Sequence, residues 1–209
     1  MVGEGVLHES LNHPEVEAVL VVNRRLCGIE HEKLTEIIHP DFHDFSAIEN
    51  QLTGYNACYF CMGVSSIGMK EAEYRRLTFD LTMGIANILV KDNPEMTFCY
   101  VSGVGTDSSE IGRSMWARVK GKTENDLMKL PFKGSYMFRP GYIQPTTGLK
   151  NAYKIYKFAG PFYPLWNTFF PKYVCTLKQL GLAMINSVLK GSDLQVLEVK
   201  DIRKLADKG

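Results

Sequence analysis

The sequence predicts an α/β domain in three layers, with helices on both faces of a doubly wound parallel sheet. Strand-like and helix-like segments alternate along the 209 residues, the pattern of strands joined by crossover helices. The strand-like segments are short and continuously apolar, as strands buried on both faces require. The chain also opens with Met1-Val2-Gly3-Glu4-Gly5-Val6-Leu7, a glycine turn running straight into a helix with no strand-like segment before it.

Taken in order, the opening helix is expected from about residue 5 to residue 13. A strand follows at 18–23 on the run Val19-Leu20-Val21-Val22, then a short strand at Ile37-Ile38 and a buried strand at 57–61. The helices at 71–90, 112–130 and 177–189 are long segments of the alternating pattern. The strands at 97–102, 135–138 and 195–199 are short apolar segments between and after them. No internal repeat or low-complexity stretch interrupts the order, and the whole chain, 1–209, reads as one domain.

In a doubly wound, Rossmann-type sheet the first strand lies at the centre, and the glycine turn after it sets a pyrophosphate on the N-terminus of the first helix. Here the N-terminal central strand is missing. Such a strand buries about four large apolar side chains, on the order of 6–12 kcal/mol, against a total domain stability of about 5–15 kcal/mol. The expectation is that the true start lies about 10–15 residues upstream, the alternative being that the neighbouring strands close the gap by pairing. If a sheet forms regardless, the strands ending near Asn23 and Gly63 should flank an open slot or meet directly.

Composition narrows the function. With 45% hydrophobic residues and a net charge of +1, the chain has enough core to fold and no electrostatic footprint for nucleic acid. It shows no secretory signal pattern and no run of about 18 apolar residues, so a cytoplasmic location is expected. Cys58 and Cys61 have CxxC spacing but sit on a strand, where side chains three apart point to opposite faces. Buried reduced thiols are the expectation. His39 and His43 are separated by four but interrupted by Pro40, which argues against a helical ligand pair, and no metal site is expected. Between about 153 and 175 the chain concentrates Tyr153, Tyr156, Phe158, Phe162, Tyr163, Trp166, Phe169, Phe170 and Tyr173, broken by Pro161, Pro164 and Pro171. The prolines forbid a spanning helix. A substrate lid, a surface docking on a protein or membrane interface, and an irregular extension of the core all remain open.

After the first strand stand Asn23-Arg24-Arg25. A second strand of such a sheet delivers its ribose-reading residue about there. An acidic residue would bind a free 2′-hydroxyl, whereas guanidinium forks pair with phosphate. The pair therefore favours NADP(H) over NAD(H), the alternative being that Arg24 and Arg25 merely solvate a strand end.

Further segments extend this reading: Asp41-Phe42 with Asp44, Cys61-Met62-Gly63-Val64-Ser65-Ser66, Tyr100-Val101-Ser102-Gly103-Val104-Gly105, Arg118-Val119-Lys120-Gly121-Lys122-Thr123-Glu124 and Arg139-Pro140-Gly141-Tyr142-Ile143-Gln144-Pro145. In order and spacing the chain resembles the atypical short-chain dehydrogenase/reductases that share a sheet with NAD-dependent epimerases and dehydratases, most of all the branch containing the Tat-interacting protein. The resemblance implies that Gly3 is the last glycine of a phosphate-binding turn. It implies that Asp41 accepts from the adenine amino group while Phe42 covers the ring, and that Gly63 admits the cofactor against the backbone. By the same resemblance Ser102 holds a substrate oxygen, Lys120 binds the nicotinamide ribose, and the backbone from Pro140 to Ile143 flanks the carboxamide. Without the resemblance Lys120 would read as part of a solvated helix face. Family members often dimerise through two long helices, here those containing Asn87 and Trp116.

The departure is at the catalytic pair. The family usually places a tyrosine four residues before the lysine, on the same helix face, where the cation lowers the phenol's pKa for proton transfer. That position holds Trp116, and an indole donates a hydrogen bond but shuttles no proton near neutral pH. Ser102, Tyr142 or a bound water would have to supply the acid, unless Trp116 simply packs beneath the aromatic segment. The expected function is an NADPH-binding oxidoreductase or epimerase/dehydratase-like protein acting on a small carbonyl or hydroxyl compound. The alternatives are a catalytically silent NADPH-binding regulatory protein and an inactive fragment.

Overall fold

The computed structural model describes residues 1–146, 148 and 163–208. Helix α1 (Val2–Asn12) is followed by β1 (Val19–Asn23), β2 (Leu34–Ile38) and β3 (Ala57–Phe60). One long helical segment then runs through α2 (Glu71–Arg75), a π-helical turn at Arg76–Asp80, and α3 (Leu81–Asp92). Next come β4 (Thr97–Val101), α4 (Met115–Leu127), β5 (Gly134–Arg139), β6 (Tyr142–Gln144) and α5 (Tyr163–Phe169). The chain ends with β7 (Val174–Thr176), α6 (Leu177–Leu189), β8 (Val196–Glu198) and α7 (Val199–Ala206).

All strand pairs among the described residues are parallel. Strands β3, β4, β5 and β8 form one sheet in that order, β1 and β2 form a second, and β6 pairs with β7. The layers follow from the two apolar faces of the central strands. Cys99 and Phe138 pack with α1, α6 and α7 through Val6, Leu180, Met184 and Ile202. Phe98, Tyr100 and Met137 pack on the opposite face with Leu81, Ile85, Leu89 and Leu127. Cys58 joins the second cluster and Cys61 the first, so the two thiols do lie on opposite faces. Burial raises the Cys61 pKa to about 12.

Between β1 and β3 no strand pairing exists. A cavity of about 1470 Å³ separates them, lined by the whole of β1, by Ala57 to Cys61, and by Met1, Gly3, Val6 and Leu7 of the opening helix. The slot expected from the absent central strand is therefore open. Its effect shows in burial: every described residue of β1 and the first three of β3 are only half-buried, while Thr97 to Tyr100 of β4 are buried throughout.

Several boundaries differ from the expectations. Helix α1 begins at Val2 rather than at residue 5, although two glycines fall inside it. A Cβ on Gly5 would lie 2.2 Å from Leu177 Cγ, so this glycine permits the close crossing of α1 over α6, which outweighs a propensity cost of about 1 kcal/mol. Helix α4 starts at Met115 rather than at residue 112, because Asp107 accepts from the Gly112 N–H at 2.7 Å and holds that segment as a loop. The strand expected over 195–199 ends at Glu198. The Asp201 carboxylate accepts from the Glu198 N–H at 3.2 Å, and α7 starts there without an intervening turn. Helix α6 begins on a reciprocal cap, Thr176 Oγ1 accepting from Gln179 N at 3.0 Å and Gln179 Oε1 from Thr176 N at 2.9 Å.

Candidate functional site

Arg24, Asp41, Gly63, Ser102 and Pro140 each follow the carboxyl end of a parallel strand, β1, β2, β3, β4 and β5 respectively. That edge of an open α/β sheet is where loops converge on a ligand. The cavity itself gathers Gly3, Arg24, Arg25 and Phe42 with Met1, Cys61 and Met62. Asp41, Gly63, Ser102, Trp116, Lys120, Pro140 and Ile143 lie outside its lining.

The arginine side is built by a carboxylate that the sequence reading gave no role. Glu36 Oε1, on β2, accepts from Asn23 Nδ2 at 2.9 Å and from the Cys27 N–H at 2.8 Å, clamping the loop that carries the two arginines. Arg24 and Arg25 are exposed, and neither guanidinium has a hydrogen bond or ion pair among the described residues. Phe42 meets Phe45 edge-on with ring centroids 5.6 Å apart, and His39 at 6.1 Å. Asp41 is exposed, with Oδ1 accepting from the His43 N–H at 2.9 Å. The first amides of α1 have no acceptor within the helix, and its positive end lies at the cavity beside Cys61, where a Cβ on Gly3 would sit 3.5 Å from Cys61 Cβ. A Cβ on Gly63 would meet nothing within 4 Å. These donors, cations and open backbone fit a phosphorylated, ring-bearing ligand: Arg24 and Arg25 for phosphate, Phe42 for a ring face, and the start of α1 for anionic oxygens.

Outside that lining, at the ends of β4 and β5, stands a buried polar cluster. Lys120 Nζ donates to the carbonyl of Ser102. Ser102 Oγ, itself buried, donates to Glu124 Oε1 at 2.5 Å. Arg139 donates from Nε to Glu124 Oε1 at 3.0 Å, pairs with Glu124 Oε2 through Nη2, and reaches Ser108 Oγ at 2.6 Å and Glu198 Oε1 at 3.3 Å. Glu124 is fully buried and the Arg139 side chain is 11% exposed. Burial holds the Lys120 pKa below the ordinary lysine value, with the Glu124 charge opposing that shift. Trp116, Lys120 and Glu124 are spaced by four along α4 and share one face. The Trp116 ring lies over Gly105, where an added Cβ would come within 3.4 Å of it. The carbonyl of Pro140 accepts from the Val104 N–H at 3.0 Å, and the Ile143 side chain is buried in the core. Thus Ser102 and Lys120 are brought together, and Glu124 and Arg139 are the partners that reading by residue type left without a role.

Of the aromatic segment, residues 153–162 lie outside the described residues. The remainder forms α5 and β7, exposing Leu165, Phe169, Phe170 and Tyr173, while Trp166 meets Tyr142 of β6 edge-on at 5.1 Å. Among the described residues no helix is long and apolar enough to cross a membrane, and no three His, Cys, Asp or Glu side chains are grouped as a metal site would need.

A parallel sheet with helices on both faces and polar loops at its carboxyl edge defines the class: a Rossmann-like α/β protein. More particularly, the chain folds as nucleotide-sugar epimerases and short-chain dehydrogenase/reductases do. It superimposes on UDP-glucose 4-epimerase of Thermotoga maritima with a TM-score of 0.65 at 12% identity, covering 100% of this chain and 79% of that one. A short-chain dehydrogenase/reductase of Saccharomyces cerevisiae gives 0.66 at 13% identity, covering 99% and 94%. The Bordetella bronchiseptica enzyme WbmF, solved with NAD+, gives 0.64 at 14%, covering 99% and 73%. No family model matches the sequence. Among curated proteins it is similar to protein fmp52-1, mitochondrial, of Aspergillus oryzae, 26% identical over 149 residues, 68% of this chain and 62% of that protein. The corresponding protein of Scheffersomyces stipitis is 23% identical over 145 residues, 68% and 63%. The matches thus span under two thirds of the length of these curated relatives. Both names carry a mitochondrial location, which overturns the cytoplasmic expectation. Near-neutral composition and the lack of a spanning helix are common to proteins of either compartment.

Proposed function

We propose that the protein binds NADP(H) along the carboxyl edge of its sheet and acts as an oxidoreductase or epimerase/dehydratase-like protein on a small carbonyl or hydroxyl compound, in association with mitochondria. The observation that carries the reading is the pair of guanidinium groups at Arg24 and Arg25, without an ion-pair partner among the described residues, on a loop that Glu36 clamps and lining the same cavity as the start of α1. Two cations beyond the strand end match a 2′-phosphate where a carboxylate would match a hydroxyl. Phe42 would cover the adenine, with Asp41 accepting from its amino group. The amides of α1 would face the pyrophosphate, while Lys120 and the backbone from Pro140 to Ile143 would orient the nicotinamide end. That group, when bound, supplies the oxidation and reduction.

What the chain itself contributes there is placement of a hydroxyl. The Ser102 hydroxyl lies within hydrogen-bond reach of Glu124 Oε1 at 2.5 Å and of the Phe138 carbonyl at 3.2 Å; donating to either would leave its oxygen to accept from a substrate hydroxyl, and Lys120 fixes the loop through the Ser102 carbonyl. A second reading, of a nucleotide-binding protein without catalysis, is favoured by Trp116 at the position where a tyrosine would move the proton.

Titration of NADPH and NADH against the protein and its Arg24→Ala/Arg25→Ala variant tests the cofactor assignment. Charge-assisted hydrogen bonds are worth about 1.5–3 kcal/mol, so the variant should bind NADPH about 10- to 100-fold more weakly and NADH nearly unchanged. Tighter binding of NADH by the parent, or equal loss of both, would overturn it.

A further inference from the structure

The large apolar side chains that this fold leaves exposed are unevenly placed. Among the described residues only Leu189 and Leu194 stand at the amino edge of the sheet; the others lie at or beyond the carboxyl ends of strands, or on α5 and the turn after it. The densest group is Leu165, Phe169, Phe170 and Tyr173, each more than half exposed. Single exposed apolar residues are common on soluble proteins, whereas a group this dense marks an interaction surface.

Helix α5 is amphipathic in reverse. Its polar Asn167 faces the protein, Oδ1 accepting from Arg203 of α7 at 2.8 Å, and Trp166 faces Tyr142. Leu165 and Phe169, one turn apart, face outward instead. The backbone holds this arrangement in place. Phe170 N–H donates to Trp166 O at 2.7 Å, Tyr173 N–H to Phe170 O at 3.0 Å, and Tyr142 N–H to Tyr173 O at 2.8 Å. Tyr142 follows β5 closely, so the aromatic face is fixed to the same carboxyl edge as the loops of the candidate site.

Charge prescribes what covers this face. From residue 127 to residue 192 the sequence carries nine lysines and arginines and no aspartate or glutamate, in a chain whose net charge is only +1. Lys172 sits within the apolar group, Lys178 in the first turn of α6 and Lys200 in the first turn of α7; all three are exposed and without an ion pair among the described residues. A cation in a first turn is disfavoured by the helix dipole, so helix stability does not account for Lys178. Arg203 adds a cation beside α5, while Asp201, between Lys200 and Arg203 in sequence, is engaged by the Glu198 N–H. A second copy of the chain would set these cations against their own kind. Aromatic and leucine side chains flanked by cations instead match acidic lipid, whose headgroups attract the cations while the apolar groups settle at the acyl boundary.

We propose that the face formed by Leu165, Phe169, Phe170 and Tyr173 docks on an anionic lipid surface, with Lys172 pairing to acidic headgroups and the carboxyl edge of the sheet turned to the membrane. The proposal does not rest on the cofactor reading, since it makes no use of Arg24, Arg25 or the cavity that they line.

The test is sedimentation of the 209-residue protein with vesicles of phosphatidylcholine containing phosphatidylserine, against vesicles of phosphatidylcholine alone. Partitioning should be about tenfold stronger on the anionic vesicles, and about 0.5 M salt should remove the difference. Phe169→Ser/Phe170→Ser should weaken it about tenfold or more, and Lys172→Glu several-fold on anionic vesicles alone. Leu194→Ser, which alters a comparably exposed side chain at the opposite edge, should leave it unchanged. Each variant should keep the far-ultraviolet dichroism of the parent. A Phe170→Trp protein gives a readout that needs no loss of binding: the added indole emission should shift to the blue on anionic vesicles and be quenched by lipids brominated along their acyl chains. Equal partitioning to both vesicles, equal weakening by Leu194→Ser, or emission that brominated lipid leaves unquenched would overturn the proposal. So would self-association that Phe169→Ser/Phe170→Ser abolishes in a protein that ignores vesicles, which would make a second copy the occupant.

Discussion

Replacing Glu124 by leucine strands the Arg139 guanidinium in the core. Glu124 has no exposure and accepts from Arg139 and from Ser102 Oγ, while the remaining carboxylate near Arg139, Glu198, is 44% exposed at 3.3 Å. Removing one partner of such a buried pair costs about 3–5 kcal/mol, because the other charge is left desolvated and uncompensated. For a domain of this size that is a fall in melting temperature of about 2–4 °C per kcal/mol. Replacing both residues, as Glu124→Leu/Arg139→Met, removes the desolvation penalty along with the attraction and should return stability to within about 1–2 kcal/mol of the parent. Urea denaturation of the four members of this cycle gives the coupling energy directly. A loss of under about 1 kcal/mol for the single variant, the worth of an exposed ion pair, would refute the buried pair, as would additivity of the two substitutions.

Three further outcomes follow from the geometry. Gly5→Ala sets a methyl group 2.2–2.7 Å from Leu177 Cγ, Cδ1 and Cδ2 and should destabilise by about 1–3 kcal/mol. In a Leu177→Ala background the same change should be neutral or gain up to about 1 kcal/mol of helix propensity, and an equal loss in both backgrounds would sink the contact. The Asp126 carboxyl is held below the ordinary aspartate value of 3.8, burial acting upward but outweighed by bonds from Lys129 and Lys122. Its contribution is therefore present above 3.8 and lost as pH falls through the folded value. Acid titration of stability should show a shallower slope in Asp126→Asn, with a difference under about 1 kcal/mol for so exposed a pair. Trp116→Tyr, assayed with saturating NADPH and generic carbonyl compounds, should raise turnover about 10²- to 10⁴-fold, the worth of a positioned general acid; unchanged turnover favours the silent reading.

The layered sheet and its empty centre are legible in the sequence, because continuous apolar runs such as Thr97–Val101 report burial on both faces and the opening glycines enter a helix directly. Helix α7 was hidden for a local reason. Val199, Ile202, Leu205 and Ala206 carry a helical stripe, and Asp201 three residues after Glu198 marks its start, but no glycine or proline separates them from β8. The β6–β7 pair joins three-residue strands about thirty residues apart, beyond the reach of any periodicity. Glu124 and Arg139 belong to residue types that are solvated by default. Only the packing of α4 against the ends of β4 and β5 buries them, and with them the hydroxyl of Ser102.

The π-helical turn at Arg76–Asp80 amounts to one residue more than an α-helix needs over the same rise. Each residue advances an α-helix by about 100°, so the turn rotates everything before it by about that angle relative to everything after. Glu71 is thereby swung to the Arg118 guanidinium at 2.7 Å, and Phe79 to where Arg75 and Lys122 lie over its ring at 4.6 and 5.3 Å, while Leu81, Ile85 and Leu89 keep their grip on the sheet. Deleting a single codon within this turn would thus re-phase α2 like a dial moved by one notch, unseating Glu71 and the buried Tyr74 while sparing the inward contacts of α3.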